Sequence, residues 1–202
     1  MKAVSGALMV LGAISILVCI FLIIGMVLYS LTPSLKDQMA QTAVSADAVK
    51  NCNKKIDTFK LDAEKAALAK ETKELTLTLT VEEINSKLIE ILAEGELPIK
   101  EAFVNFTDDR IWVYAEITAV PVPAKIVMIG DAAIVKDKIH TNVDVFKLGR
   151  LPLPSSTIEQ VNSLSNIIVK MELPFDYLPI KITSIGVSNN SLILKVLTIP
   201  KA

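Results

Sequence analysis

A duplication constrains this chain more than any other feature. Thr80-Val81-Glu82-Glu83-Ile84-Asn85-Ser86 is echoed by Thr157-Ile158-Glu159-Gln160-Val161-Asn162-Ser163. Leu-Pro-Ile-Lys follows each copy, at Leu97 to Lys100 and at Leu178 to Lys181. Behind each tetrapeptide stands an alternating apolar stretch, broken by Asp108-Asp109 in the first case and Asn189-Asn190 in the second. Two copies of one helix–strand–strand unit are expected. Two similar halves have to pack together, and a functional surface is expected between or beneath them.

The amino-terminal run carries a separate signal. Ala3 to Leu31 holds neither a charged residue nor a proline. About 20 apolar residues suffice to cross ~30 Å of hydrocarbon. A secretory leader has a shorter apolar core of about 7–15 residues and a small-residue cleavage site close behind it. The run therefore predicts an uncleaved transmembrane anchor over residues 1–32. The expected localisation is a cell membrane, single-pass, with the carboxyl-terminal domain extracytoplasmic. Cys19 falls inside the run after Val18, which is too large for a lipoprotein site; a cysteine buried in lipid is the expectation. Cys52 is then left without an intramolecular partner, either as a free thiol or as a bridge to a second copy. The net charge of −1 and the interspersed lysines and carboxylates exclude the basic patch of a nucleic-acid binder.

Beyond Pro33 the chain is polar and alanine-rich. Asp62 to Lys73 contains strong helix formers, so residues 33–73 are expected to form a partly helical stalk. The domain is expected over 74–202, with halves at about 74–148 and 149–202. Leu75, Leu77 and Leu79 alternate with threonines, the pattern of a half-buried strand. Thr80 and Glu83 form a capping box. Ile84, Leu88, Ile91 and Leu92 then recur on one helical face, and Gly95 stops the helix. Strands are expected over 99–107, 111–119, 122–135 and 139–148, with Gly130 at a bulge. The short connections make them an antiparallel meander. Gly149 to Pro154 is a rigid link. A second helix from about Ser156 to Lys170 and a last hairpin, Ile180–Val187 with Leu192–Ile199, complete the pattern.

No catalytic constellation emerges. His140 is the single histidine and lies on the polar side of an alternating strand, as a surface residue would. No serine sits in a nucleophile elbow, and no phosphate loop or dinucleotide fingerprint occurs. Glu82 and Glu83 are consecutive on a helix and point about 100° apart, so capping and the helix dipole account for them. No metal site and no cofactor are expected. The positive signal is an apolar excess on both faces of the strands. Ile111, Val113, Ala115, Ile117, Val122, Ala124, Ile126, Met128, Ile139, Val143 and Val145 are expected on one face. Trp112, Tyr114, Val127, Ile129, Phe146 and Leu148 are expected on the other.

The order of features (anchor, strand, Thr-x-Glu-Glu-x-Asn helix, paired strands, Gly149-x-Leu-Pro-Leu-Pro, second helix, hairpin) resembles the YpmS-like family of bacterial single-pass membrane proteins. The resemblance covers roughly Glu74 to Ile199 and the anchor, and its motifs are short. That family is similar in pattern to phospholipid-binding envelope proteins and, more distantly, to tubular lipid-binding domains, a likeness that implies a helix held in a curved antiparallel sheet with lipid in the seam; it transfers no catalytic residue. The combined expectation is an α+β fold: an amino-terminal transmembrane helix plus a duplicated helix–strand–strand domain with a curved antiparallel sheet. Its function is expected to be non-catalytic binding of lipid or another hydrophobic ligand in the cell envelope. The expected pocket is lined by Ile84, Leu88, Ile91, Val113, Ile117, Ile126, Met128, Val161 and Ile168. The alternative is a scaffold subunit of an envelope or secretion assembly, marked by exposed Trp112, Tyr114 and Phe146. Expected partners are the membrane, lipid, a protein partner or a second copy through Cys52, and no nucleic acid.

Overall fold

The computed structural model describes residues 19–20, 22–39, 42–95, 98–107, 109–118, 123–135, 138–151, 156–159, 178–188 and 190–200. Val122, Val161, Ile168 and the remainder of the expected second helix lie outside them; residues 156–159 are helical.

The expected strand from Leu75 is present as β1 (Glu74–Thr80), with Leu75 and Leu77 buried and the threonines between them exposed. It runs straight into α2 (Val81–Ala93), because Thr80 closes a capping box. The Thr80 hydroxyl accepts from the Glu83 N–H, and Glu83 accepts from the Thr80 N–H. Before β1 lies α1 (Ala46–Leu68), capped by Ser45, whose hydroxyl accepts from the Ala48 N–H at 3.1 Å. The helix expected over Asp62–Lys73 thus begins 16 residues earlier and ends at Leu68. Its buried face is mostly small: Ala48, Cys52, Ala63, Ala66 and Ala67, with Phe59 as the one large side chain. That is why periodicity shows only a thin stripe, yet the helix packs closely. Phe59 and Ala63 join Leu75, Leu77, Leu194 and Val196 in one core.

The remaining strands are β2 (Ile99–Thr107), β3 (Arg110–Ile117), β4 (Ala124–Val135), β5 (Lys138–Leu148), β6 (Ile180–Ser188) and β7 (Ser191–Thr198). Both repeated hairpins turn where expected. Asp109 has φ +57° and Asn190 has φ +61°, in the left-handed region that short polar side chains tolerate.

The expectation of one curved sheet is corrected: there are two antiparallel sheets, β1-β7-β6 and β2-β3-β4-β5. The first half's opening strand joins the second half's hairpin, from Glu74 opposite Leu197 to Thr80 opposite Ser191. The four-stranded sheet ends at β2 for a local reason. The Asn85 side-chain amide occupies the outer edge of β2, donating to the Val104 carbonyl at 2.8 Å and accepting from the Val104 N–H at 2.7 Å.

A second correction concerns strand facing. Gly130 marks a bulge, as expected: Ile129 pairs with Val145 and Gly130 with Val143, leaving Asp144 extra. The extra residue reverses the alternation along β5. Phe146 lies opposite Met128 and shares its face, whereas Val145 turns to the face of Tyr114 and Ile129. That latter face forms the second core, with Met39, Tyr114, Val127 and Ile129 buried and Leu35, Phe103, Trp112 and Val145 packed around them.

The membrane-spanning helix is also corrected. Among the described residues, no helix is long and apolar enough to cross a membrane. Of the run from Ala3 to Leu31, residues 3–18 and 21 lie outside the description, and 19–20 and 22–30 are helical. The helix that ends at Ser30 does not run into a free linker. Its Leu28 carbonyl accepts from the Arg150 N–H at 2.7 Å. Thr32 accepts from Lys125 at 3.2 Å and from Arg150 Nε at 3.3 Å. Two cations at a helix carboxyl end also complement its dipole. A 3-10 turn (Ser34–Gln38) then carries Leu35 and Met39 onto the second core.

Candidate ligand cleft between α2 and β2

On α2, Asn85, Ile89 and Leu92 stand at i, i+4 and i+7 and therefore share a face. That face looks onto β2, the edge strand of the four-stranded sheet, across a cleft of about 790 Å³. The helix supplies Asn85, Ile89, Leu92 and Ala93; β2 supplies Lys100 to Phe103. The 3-10 turn and the segment after it close the third side with Lys36, then Met39, Thr42 and Val44. Its far end is pinned to α2, since the Ser45 N–H donates to Ser86 Oγ and the Ser45 hydroxyl to Glu82. The volume lies within the roughly 300–1,000 Å³ of small-ligand sites.

The lining mixes apolar and polar side chains, and at its charged end each charge has an answer. Lys36 Nζ lies 3.0 Å from Glu101 and 3.9 Å from the centre of the Tyr114 ring. Lys100 lies 3.0 Å from Glu116, which is buried. Burial pulls the Lys36 pKa down, but its bond to Glu101 and the nearness of Tyr114 outweigh it and leave the ammonium above its ordinary value. Burial pushes the Tyr114 phenol up, and Lys36 draws it partway back. Tyr114 is 0% exposed and its ring rests 5.1 Å from that of Phe103. Lys36 meets the face of that ring, and the Tyr114 hydroxyl has no hydrogen-bond partner among the described residues.

The residues expected to line a pocket fall elsewhere. Ile84 and Leu88 are half-buried and Ile91 is 38% exposed, on the helical stripe beside the one that faces the cleft. Val113, Ile117, Ile126 and Met128 are half-buried and share the face of the sheet opposite Tyr114. Ile89 and Ala102, which do line the cleft, carry no distinguishing sequence signal. The α2 sequence is apolar around much of its circumference, so period alone does not select a stripe. Trp112, Tyr114 and Phe146 make no exposed patch: Tyr114 is buried, and Phe146 lies on the other face. His140 is half-buried on β5 opposite Ala133. Among the described residues no group of three or more His, Cys, Asp or Glu side chains is placed to hold a metal.

Cys52 is 2% exposed, and burial pushes its thiol up, with Glu83 adding to the effect. A disulfide to a second copy therefore requires α1 to lift away. Cys19, by contrast, is exposed. Ellman titration of the native chain is expected to count one fast thiol, and a second only after unfolding. A covalent dimer abolished by Cys52→Ser would contradict that arrangement.

No family model matches the chain, and no match is found among the curated proteins or the solved structures.

Proposed function

We propose that this protein is a non-catalytic binding module that takes an extended hydrophobic ligand, lipid or other, into the cleft between α2 and β2. The observation that carries this reading is the cleft itself: a volume suited to a small ligand, with Met39, Val44, Ile89 and Leu92 supplying its apolar surface. Its acids and bases are engaged with each other, Lys36 with Glu101 and Lys100 with Glu116, which suits binding better than proton transfer. The same reading sets the module beside a lipid surface, on the exposed apolar side chains of Leu22, Ile23 and Met26 just ahead of the cleft's Lys36.

Ile89 gives the cleanest test, because it is 46% exposed and lines the cleft. An aspartate there leaves little buried area to lose but places a charge against apolar walls. Nile red, a neutral solvatochromic dye, is expected to bind the full chain saturably. Ile89→Asp is expected to weaken that binding at least tenfold, or about 1.4 kcal/mol, with a thermal transition within a few degrees of the parent. Saturable binding that is indifferent to Ile89→Asp would place the ligand elsewhere and sink the proposal.

A further inference from the structure

We infer that the ligand of this cleft is an extended peptide, added as a strand along the outer edge of β2; the inference rests on the cleft reading above. Three observations lead to it. The first is the alternation of a strand, in which the N–H and C=O of every second residue point to the same side. At Val104 both groups point outward, because both are bonded to Asn85. The bulge in β2 lies upstream, between Ile99 and Glu101, so Ala102 keeps phase with Val104. The Ala102 N–H and C=O are therefore directed outward from the sheet on the side of the cleft that Ala102 lines, and no described residue bonds them.

The second observation is the Asn85 amide itself. It is a planar amide that donates once and accepts once at 2.7–2.8 Å, the pair of bonds a neighbouring strand makes. The gap between α2 and β2 thus already holds one amide group in strand register. A peptide entering beside it meets the same donor–acceptor pair two residues back, at Ala102. Its alternate side chains then fall toward Ile89 and Leu92.

The third observation is charge. Lys36 and Lys100 are both answered by carboxylates, so among the described residues the cleft offers no spare cation to an ionised headgroup. An anionic amphiphile has to break one of those pairs, and its alkyl chain leaves the Ala102 amide groups unmade, which is costly in a desolvated groove. A neutral backbone with one apolar anchor meets both conditions. This is strand addition to an exposed edge: main-chain bonds bring affinity and alternate side chains bring selectivity.

The test begins with a phage-displayed random heptapeptide library panned on the full-length protein, with Ile89→Asp as the control surface. Recovered peptides are expected to share one large apolar position. Methylating a single peptide nitrogen, the one facing the Ala102 carbonyl, is expected to lower affinity at least tenfold, while methylation one residue along changes it less than twofold. Ala102→Pro removes the protein's own donor at an edge position that tolerates proline, and it is expected to weaken peptide at least tenfold more than Nile red. The methylated peptides carry the test on unaltered protein should that variant fail to fold. Peptides that bind regardless of every N-methylation overturn strand addition. No peptide recovered above the control, with Nile red still bound, overturns the inference and leaves the hydrophobic-ligand reading intact. Loss of both overturns both.

Discussion

Replacing Gly149 by alanine is expected to destabilise the protein by roughly 3 kcal/mol and to release the amino-terminal helix from the domain. Gly149 has φ +57°, and an alanine in the left-handed region costs about 1–2 kcal/mol by itself. The larger effect is steric. A Cβ at this position lies 2.3 Å from the Tyr29 carbonyl oxygen and 2.4 Å from that of Leu28. Both are backbone atoms of the helix end that Arg150 caps, so neither can swing aside as a side-chain tip would. Relief requires the helix to back away, which breaks the Arg150 N–H bond to Leu28. At about 2–4 °C per kcal/mol for a chain of this size, the melting temperature is expected to fall by roughly 6–12 °C. Gly149→Asn separates the two causes, since asparagine accepts the left-handed backbone but still carries a Cβ. If asparagine restores the parent's melt in circular dichroism, backbone strain alone accounts for the loss and the close approach of the helix is wrong. If both variants fall together, contact with Leu28 and Tyr29 is the cause.

The local features of this fold are legible in the sequence because each is decided by a few neighbouring residues. Leu75 and Leu77 alternate with threonines and are buried as that pattern requires. The Thr80–Glu83 box is present in full, and both repeated hairpins turn at their paired polar residues. What is not legible depends on groups far apart along the chain. Nothing local to Glu74–Thr80 says that it will pair with Ser191–Leu197, so one sheet and two sheets predict the same alternation. A single extra residue at Asp144 is enough to exchange the faces of Val145 and Phe146. The cleft is less legible still. Its three walls come from Lys36, Met39, Thr42 and Val44, from α2 and from β2, and only the placement of the first across the other two makes a hollow.

Asn85 joins the repeat in the sequence to the edge in the structure, and its substitution is the second large effect expected. Asn85 is 3% exposed and makes both bonds to Val104 across the α2–β2 boundary. Asn85→Ala removes both partners and leaves a backbone donor and a backbone acceptor unmet beside the new void. At about 1–3 kcal/mol for each group left unsatisfied, partly recovered where water enters from the cleft, a loss of about 2–4 kcal/mol is expected in urea unfolding. Asn85→Asp sharpens the argument. An ionised aspartate still accepts from the Val104 N–H but turns a negative oxygen toward the Val104 carbonyl, so at neutral pH it is expected to be at least as destabilising as alanine. Below the carboxyl pKa the protonated acid regains a donor, and stability is expected to recover relative to the parent as pH falls. The direction follows from linkage: the folded state favours the protonated form, which raises the pKa of the introduced carboxyl above its unfolded value, so the unfavourable difference grows as pH rises. Amide hydrogen exchange at Val104 gives a second reading, with protection expected to drop sharply in Asn85→Ala while β7 amides in the other sheet lose only what the global destabilisation dictates. Equal loss of protection in both sheets would mean that Asn85 supports the fold as a whole. A loss concentrated on β2 means that this one side chain sets where the sheet ends and where the cleft begins.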